Sequence, residues 1–104
     1  MKPDLKKLRE KLDKIDEEII RDISLRMKVV HQIASVKALH GIKIKDKKRE
    51  QELFEHIAET ARVYHLSSLF AEKVFSIILQ ESYREQKEFL RFYSNKKENP
   101  NGKR

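Results

Sequence analysis

Residues 4–39 read DLKKLREKLDKIDEEIIRDISLRMKVVHQIASVKAL. Apolar residues recur in this stretch mostly at spacings of three and four, which is the pattern of one helical face: Leu5, Leu8, Leu12, Ile15, Ile19, Ile23, Val30 and Ile33. Asp4 is a suitable N-cap, and the pair His40-Gly41 supplies the glycine that is preferred just past a helix C-terminus. The stretch therefore predicts one long helix that begins after Asp4 and ends near Leu39.

The length of this helix predicts that a second chain covers it. At ~1.5 Å per residue the helix would be roughly 50 Å long, which is far more than the width of a domain of 104 residues. The remaining residues are too few to cover its whole apolar face. Because a chain of this size buries much of its apolar surface only with difficulty, we expect self-association.

The rest of the chain predicts two further helices and a polar tail. Asp46 is a candidate N-cap for a shorter second helix, and Ser67 or Ser68 is a candidate cap for a third. The apolar positions of these two helices are Leu53, Phe54, Ile57, Ala58, Ala61 and Tyr64, and then Phe70, Val74, Phe75, Ile78, Leu79, Phe89 and Tyr93. We therefore expect an all-α domain over residues 1–93 and a disordered C-terminal tail over residues 94–104.

Composition supports the helical prediction and narrows the function. The chain has two Gly, two Pro and no Cys, which suits long helices and excludes disulfides and cysteine-ligated metals. The net charge of +7 is carried by two short segments, residues 43–49 and 94–104, so the rest of the surface is balanced. The N-terminus lacks the apolar core of a signal peptide, and no apolar run reaches the ~20 residues of a membrane span. We expect a cytoplasmic protein with no membrane partner.

Polar residues interrupt the apolar stripe of the first helix. Arg26 and Lys37 lie where apolar residues would continue the stripe. Their separation of 11 residues places them within about 20° of each other around the helix and ~16 Å apart along it. For either residue alone, the simpler interpretation is a side chain whose methylenes pack while the charge reaches water.

The second and third helices show the same kind of interruption. Asp46, Arg49 and Glu50 extend the stripe of the second helix into its first turn. Taken alone, capping by Asp46 and the favourable charge of Glu50 near the helix dipole are the better explanation. Ser82 and Gln86 share one face of the third helix, where each could be an ordinary buried hydrogen-bonding residue. Three helices that each break an apolar stripe with complementary polar groups favour a common binding site.

Other kinds of site have little support in the sequence. The four histidines, His31, His40, His56 and His65, are never four apart on a helix as in a helical metal site. With only Gly41 and Gly102, the chain has no glycine-rich phosphate loop. We expect no metal site.

Taken together, these residues resemble the all-helical class of chorismate mutases over residues 5–93. The resemblance is carried by Leu8-Arg9-Glu10-Lys11-Leu12 with Ile15-Asp16, by Arg26 and Lys37, by Asp46-Lys47-Lys48-Arg49-Glu50, and by Ser82 and Gln86. It implies a three-helix chain in an intertwined homodimer, whose long first helices pair antiparallel. It also implies conversion of chorismate to prephenate without a metal or organic cofactor.

The resemblance implies a role for each site residue. Arg26, and Arg9 from the partner chain, would bind the two substrate carboxylates with help from Ser82. Lys37 and Gln86 would contact the ether oxygen. Glu50 and the backbone of Asp46 would hold the ring hydroxyl, and Arg49 would complete the charged wall.

Helix geometry independently requires that Arg9 and Lys37 come from different chains if both contact one substrate. They are 28 residues apart, about 42 Å along a straight helix. An antiparallel partner helix centred near residue 21 would bring its own Arg9 level with position 33, between Arg26 and Lys37.

Two other functions remain open at this point. An isochorismate pyruvate-lyase could use a similar cationic pocket on the same fold. A basic helical module that binds nucleic acid or a partner protein would explain the net charge, and its binding would depend steeply on salt. That alternative gives no reason for Ser82 and Gln86 on an inward face, so we expect no nucleic-acid partner.

Overall fold

The computed structural model describes residues 4–98 of the chain, with side chains described as far as Phe92. In that range the regular elements are three helices: α1 (Leu5–Leu39), α2 (Lys47–Val63) and α3 (Ser68–Glu98). The predicted all-α fold, with a long first helix and a shorter second one, is confirmed.

The predicted caps begin the three helices. The Asp4 carboxylate accepts a hydrogen bond from the Lys6 N–H at 3.0 Å, and the Asp46 carboxylate accepts one from the Arg49 N–H at 3.0 Å. The Ser67 hydroxyl accepts one from the Phe70 N–H at 3.2 Å, which makes Ser67 rather than Ser68 the cap of α3. Gly41 follows α1 with a φ of +64°, a conformation in which glycine carries no steric cost.

The end of α3 differs from the prediction. The sequence indicated a polar tail from Ser94, whereas α3 continues to Glu98. Residues 94–98 contain neither Gly nor Pro, and Lys and Glu are good helix formers, so polarity alone does not end a helix there. The expected disorder of residues 99–104 lies outside the described residues.

α3 is the central helix and packs against both α1 and α2. Its Ala71, Phe75 and Leu79 contact the buried α2 residues Leu53, Ile57 and Ala61. On α1 the buried residues are Val30 and Ala34, both in the C-terminal half of the helix. The small core of α2 and α3 is therefore accompanied by buried residues of α1 only in this half of the helix.

The N-terminal half of α1 lies outside that core. Every residue from Asp4 to Asp22 is exposed, including a row of large apolar side chains that are 43% to 67% exposed: Leu5, Leu8, Leu12, Ile15, Ile19 and Ile20. In the described part of the chain α1 packs on α3, and no other element covers the apolar face of its N-terminal half.

Candidate functional site

A cleft of about 320 Å³ lies among the three helices. Seven of the eight site residues predicted from the sequence line it: Arg26, Lys37, Asp46, Arg49, Glu50, Ser82 and Gln86. Its apolar lining comes from Val30, Ile33, Leu53 and Leu79, and Tyr83 completes it. The polar residues that interrupt three separate apolar stripes therefore meet at one place.

α1 contributes a half-buried arginine to the cleft. The Arg26 guanidinium donates from Nη1 to the Ser82 hydroxyl at 2.6 Å, and that hydroxyl donates to the Ile78 carbonyl at 2.8 Å. Burial lowers the pKa of Arg26, and the neighbouring charge of Arg49 lowers it further, although a guanidinium stays charged in proteins. Among the described residues no carboxylate pairs with Arg26, so its charge is available to an anion.

α1 also contributes Lys37, eleven residues further along the same face. Its Nζ donates to the carbonyl oxygen of Ile44 at 2.5 Å, in the loop between α1 and α2. Because that partner is neutral, the positive charge of Lys37 is not cancelled by it. The contact also connects the loop that precedes α2 to the cleft wall.

The first turn of α2 supplies the acidic groups. The side chain of Asp46 caps the helix, so the capping interpretation of the sequence holds for this residue. Capping does not account for Glu50. Its Oε2 accepts a hydrogen bond from the Tyr83 hydroxyl at 2.5 Å. Arg49 is exposed at the rim, where its Nη1 lies 3.7 Å from Glu52.

α3 presents two polar residues that are almost completely buried, Ser82 at 3% exposure and Gln86 at 5%. Ser82 has protein partners, as an ordinary buried hydroxyl does. The Oε1 atom of Gln86 has no hydrogen-bond partner among the described residues. An unsatisfied buried polar atom costs roughly 1–3 kcal/mol, so it calls for an explanation such as a bound ligand or a catalytic role. The ordinary interpretation therefore fits Ser82 better than Gln86.

Comparison with known proteins identifies the family. Residues 8–87 match the profile of chorismate mutase type II. The chain belongs to this family. It is 28% identical over 92 residues to the chorismate mutase of Methanocaldococcus jannaschii, covering 88% of this chain and 93% of that protein. The family resemblance inferred from the sequence is thereby confirmed.

Other relatives are larger proteins, which the chain matches over part of their length. The chain is 27% identical over 89 residues to the bifunctional chorismate mutase/prephenate dehydratase of Escherichia coli K12, covering 86% of this chain and 23% of that protein. It is 31% identical over 85 residues to the T-protein of Haemophilus influenzae, covering 82% of this chain and 22% of that protein. The chain thus spans about a quarter of these two relatives.

One of the predicted site residues, Arg9, lies away from the cleft. Arg9 is exposed in the N-terminal half of α1. It precedes Arg26 by 17 residues, which is about 25 Å along the helix. A single chain therefore brings together the predicted site without Arg9.

Tyr83 lines the cleft but was not among the site residues predicted from the sequence. The residue follows Ser82 directly and precedes Gln86 by three positions. Helical spacing therefore puts it near the two selected residues, and this was a usable signal. As an aromatic residue it did not stand out as an interruption of an apolar stripe.

The remaining expectations concern metals and membranes. His31 lies 2.6 Å from Glu85 and stacks on the Phe89 ring with centroids 4.8 Å apart, which is a packing role. Among the described side chains, which end at Phe92, no group of three His, Asp or Glu residues is placed to hold a metal ion. Nor does this part of the chain include a helix with enough length and apolarity to traverse a bilayer.

Proposed function

We propose that this protein is a chorismate mutase that rearranges chorismate to prephenate, with each active site completed by Arg9 of a partner chain in an intertwined homodimer. One observation carries the proposal: the cleft combines three cations, Arg26, Lys37 and Arg49, with the buried amide of Gln86. Such a cationic cleft suits a small dianion, because the half-buried charge of Arg26 has no carboxylate partner among the described residues.

The two carboxylates of the substrate are bound by arginines. Arg26 is already fixed by its hydrogen bond to Ser82, so it can present its remaining donors in a set geometry. The partner's Arg9 supplies the second guanidinium. This contribution is supported by the exposed apolar face of α1 from Leu5 to Ile20, which antiparallel pairing with a second α1 would cover.

Lys37 and Gln86 act on the reacting atoms. In the rearrangement a C–O bond breaks as a C–C bond forms within one molecule, so the reaction needs no nucleophile and no proton transfer. Catalysis then comes from holding the compact conformer and from stabilising the negative charge that grows on the ether oxygen. The Lys37 ammonium and the Gln86 N–H groups are donors suited to that charge.

The first turn of α2 recognises the ring hydroxyl. Glu50 accepts the hydrogen bond of that hydroxyl, and the backbone of Asp46 adds a second contact. The side chain of Asp46 is occupied in capping α2, so the second contact falls to its backbone. Arg49 at the rim adds positive charge where a dianion enters.

Product analysis tests the proposal. The protein is incubated separately with chorismate and with isochorismate, and the products are identified by NMR. Prephenate from chorismate is the expected result. Release of pyruvate from isochorismate, without formation of prephenate from chorismate, would assign the cleft to lyase chemistry instead.

Gln86→Glu is expected to make the activity dependent on acid. The native amide presents N–H groups at every ordinary pH, whereas an ionised carboxylate can only accept and repels the charge on the ether oxygen. The variant should be poor at neutral pH and recover as the pH falls toward the carboxyl range, ~4–5, where protonation restores a donor. The measurement is kcat/KM against pH, and Gln86→Ala is the control that should show no such recovery. Parallel pH profiles for the native protein and Gln86→Glu would remove Gln86 as a donor.

A further inference from the structure

Glu50 is held from across the cleft by a tyrosine that the proposed mechanism does not yet use. Tyr83, on α3, donates its hydroxyl proton to Oε2 of Glu50, on α2, at 2.5 Å, and both residues line the cleft. Among the described residues, Glu50 makes no other side-chain hydrogen bond. Its second carboxylate oxygen, Oε1, is therefore open to a ligand.

Tyr83 is a neutral donor under all ordinary conditions. Burial raises the pKa of Tyr83 to about 12, and the hydrogen bond to Glu50 acts in the same direction, whereas a backbone hydrogen bond with Asp46 opposes them. The hydroxyl therefore keeps its proton at neutral pH. A neutral donor occupies one oxygen of Glu50 without cancelling the negative charge of the carboxylate, so the other oxygen remains a strong acceptor.

The cations of the cleft explain why Glu50 needs such a partner. Arg26, Lys37 and Arg49 line the same cleft as Glu50. A glutamate with free rotamers could turn toward one of them and form an ion pair. That pair would cancel a charge which the proposed function assigns to the substrate, and it would remove the acceptor for the ring hydroxyl. A donor on the opposite helix holds the carboxylate in one orientation.

We propose that Tyr83 is a positioning residue for substrate recognition: by holding Oε2 of Glu50, it presents Oε1 to the ring hydroxyl of the substrate. This inference rests on the proposed function, because it needs a ligand that carries such a hydroxyl. The ring hydroxyl takes no part in the bonds that break and form. Its contact with Glu50 is therefore of similar strength in the ground state and in the transition state.

The first test is the kinetics of Tyr83→Phe, which keeps the ring and removes the donor. We expect KM to rise and kcat/KM to fall about tenfold, with kcat changed little. This is the pattern expected when a contact that binds the ground state and the transition state equally is lost. The matched control is Tyr64→Phe, at a tyrosine that is 77% exposed and outside the cleft. Its kinetics should equal those of the native protein. A lower KM in Tyr83→Phe would mean that the hydroxyl competes with the substrate for Glu50, and would overturn the inference.

The second test is a double-mutant cycle with Glu50→Ala. If Tyr83 acts through Glu50, Tyr83→Phe should change kcat/KM by less than about twofold once Glu50 is absent, because the two effects are coupled. An equal loss of kcat/KM with and without Glu50 would assign Tyr83 a structural role and overturn the inference. Urea unfolding of the native protein, the two single variants and the double variant checks that all four are folded. Absence of chorismate turnover by the native protein would contradict the proposed function, and this inference with it. If the native protein converts chorismate but the two substitutions show no coupling, only the proposed role of Tyr83 is contradicted.

Discussion

Lys37→Ala is expected to lower kcat by about 10² to 10³ while changing KM far less, because removing one preorganised donor aimed at developing charge typically costs that much. In the free protein the ammonium donates to the Ile44 carbonyl, so its charge is already positioned at the cleft and partly desolvated before substrate arrives. The proposed role of Lys37 on the ether oxygen matters most as charge grows there. Steady-state kinetics with chorismate measures both parameters.

The matched control for this prediction is Lys28→Ala. Lys28 is exposed on the same helix, nine residues before Lys37 and therefore about 180° around it, so its removal deletes a charge without altering the cleft. Its kcat should remain near the native value. If Lys37→Ala instead raises KM with kcat unchanged, Lys37 contributes only to ground-state binding.

The sequence predicted the helices well because the signals that begin them are local. Asp4, Asp46 and Ser67 each cap a helix through a contact two or three residues away, which any sequence window contains. The grouping of polar residues was also predictable, since helical periodicity places Arg26 and Lys37 on one face without knowledge of the other helices. The end of α3 was predicted less well. Residues 94–98 are polar, but they contain no local signal that ends a helix, and α3 continues through them.

Contacts between helices were not predictable in the same way. The hydrogen bond from Tyr83 to Glu50 depends on how α3 crosses α2, and it joins residues 33 positions apart. The contact of Lys37 with the Ile44 carbonyl depends on the path of a loop. The unsatisfied oxygen of Gln86 is likewise a property of the packed helices, because only the neighbours of a buried atom decide whether it finds a partner.

Arg9→Ala and Arg26→Ala are each expected to abolish nearly all activity as homodimers, because each removes a guanidinium from every site. Mixing the two variants after unfolding and refolding should restore activity. In a mixed dimer, the Arg9→Ala chain keeps its own Arg26 and receives Arg9 from its partner, so one of the two sites is intact. With random pairing, about a quarter of the native activity should return.

The geometry of α1 makes this result specific to sites shared between chains. Arg9 lies about 25 Å from Arg26 along one straight helix, so a small substrate cannot bridge the two within a chain. The control replaces Arg26→Ala in the mixture by the double variant Arg9→Ala, Arg26→Ala, which can form mixed dimers but has no Arg9 to supply. That mixture should stay inactive. Mass spectrometry checks that mixed dimers form in the first mixture. If that mixture stays inactive although mixed dimers are present, Arg9 does not act across the dimer. The second carboxylate must then be bound by a residue of the same chain.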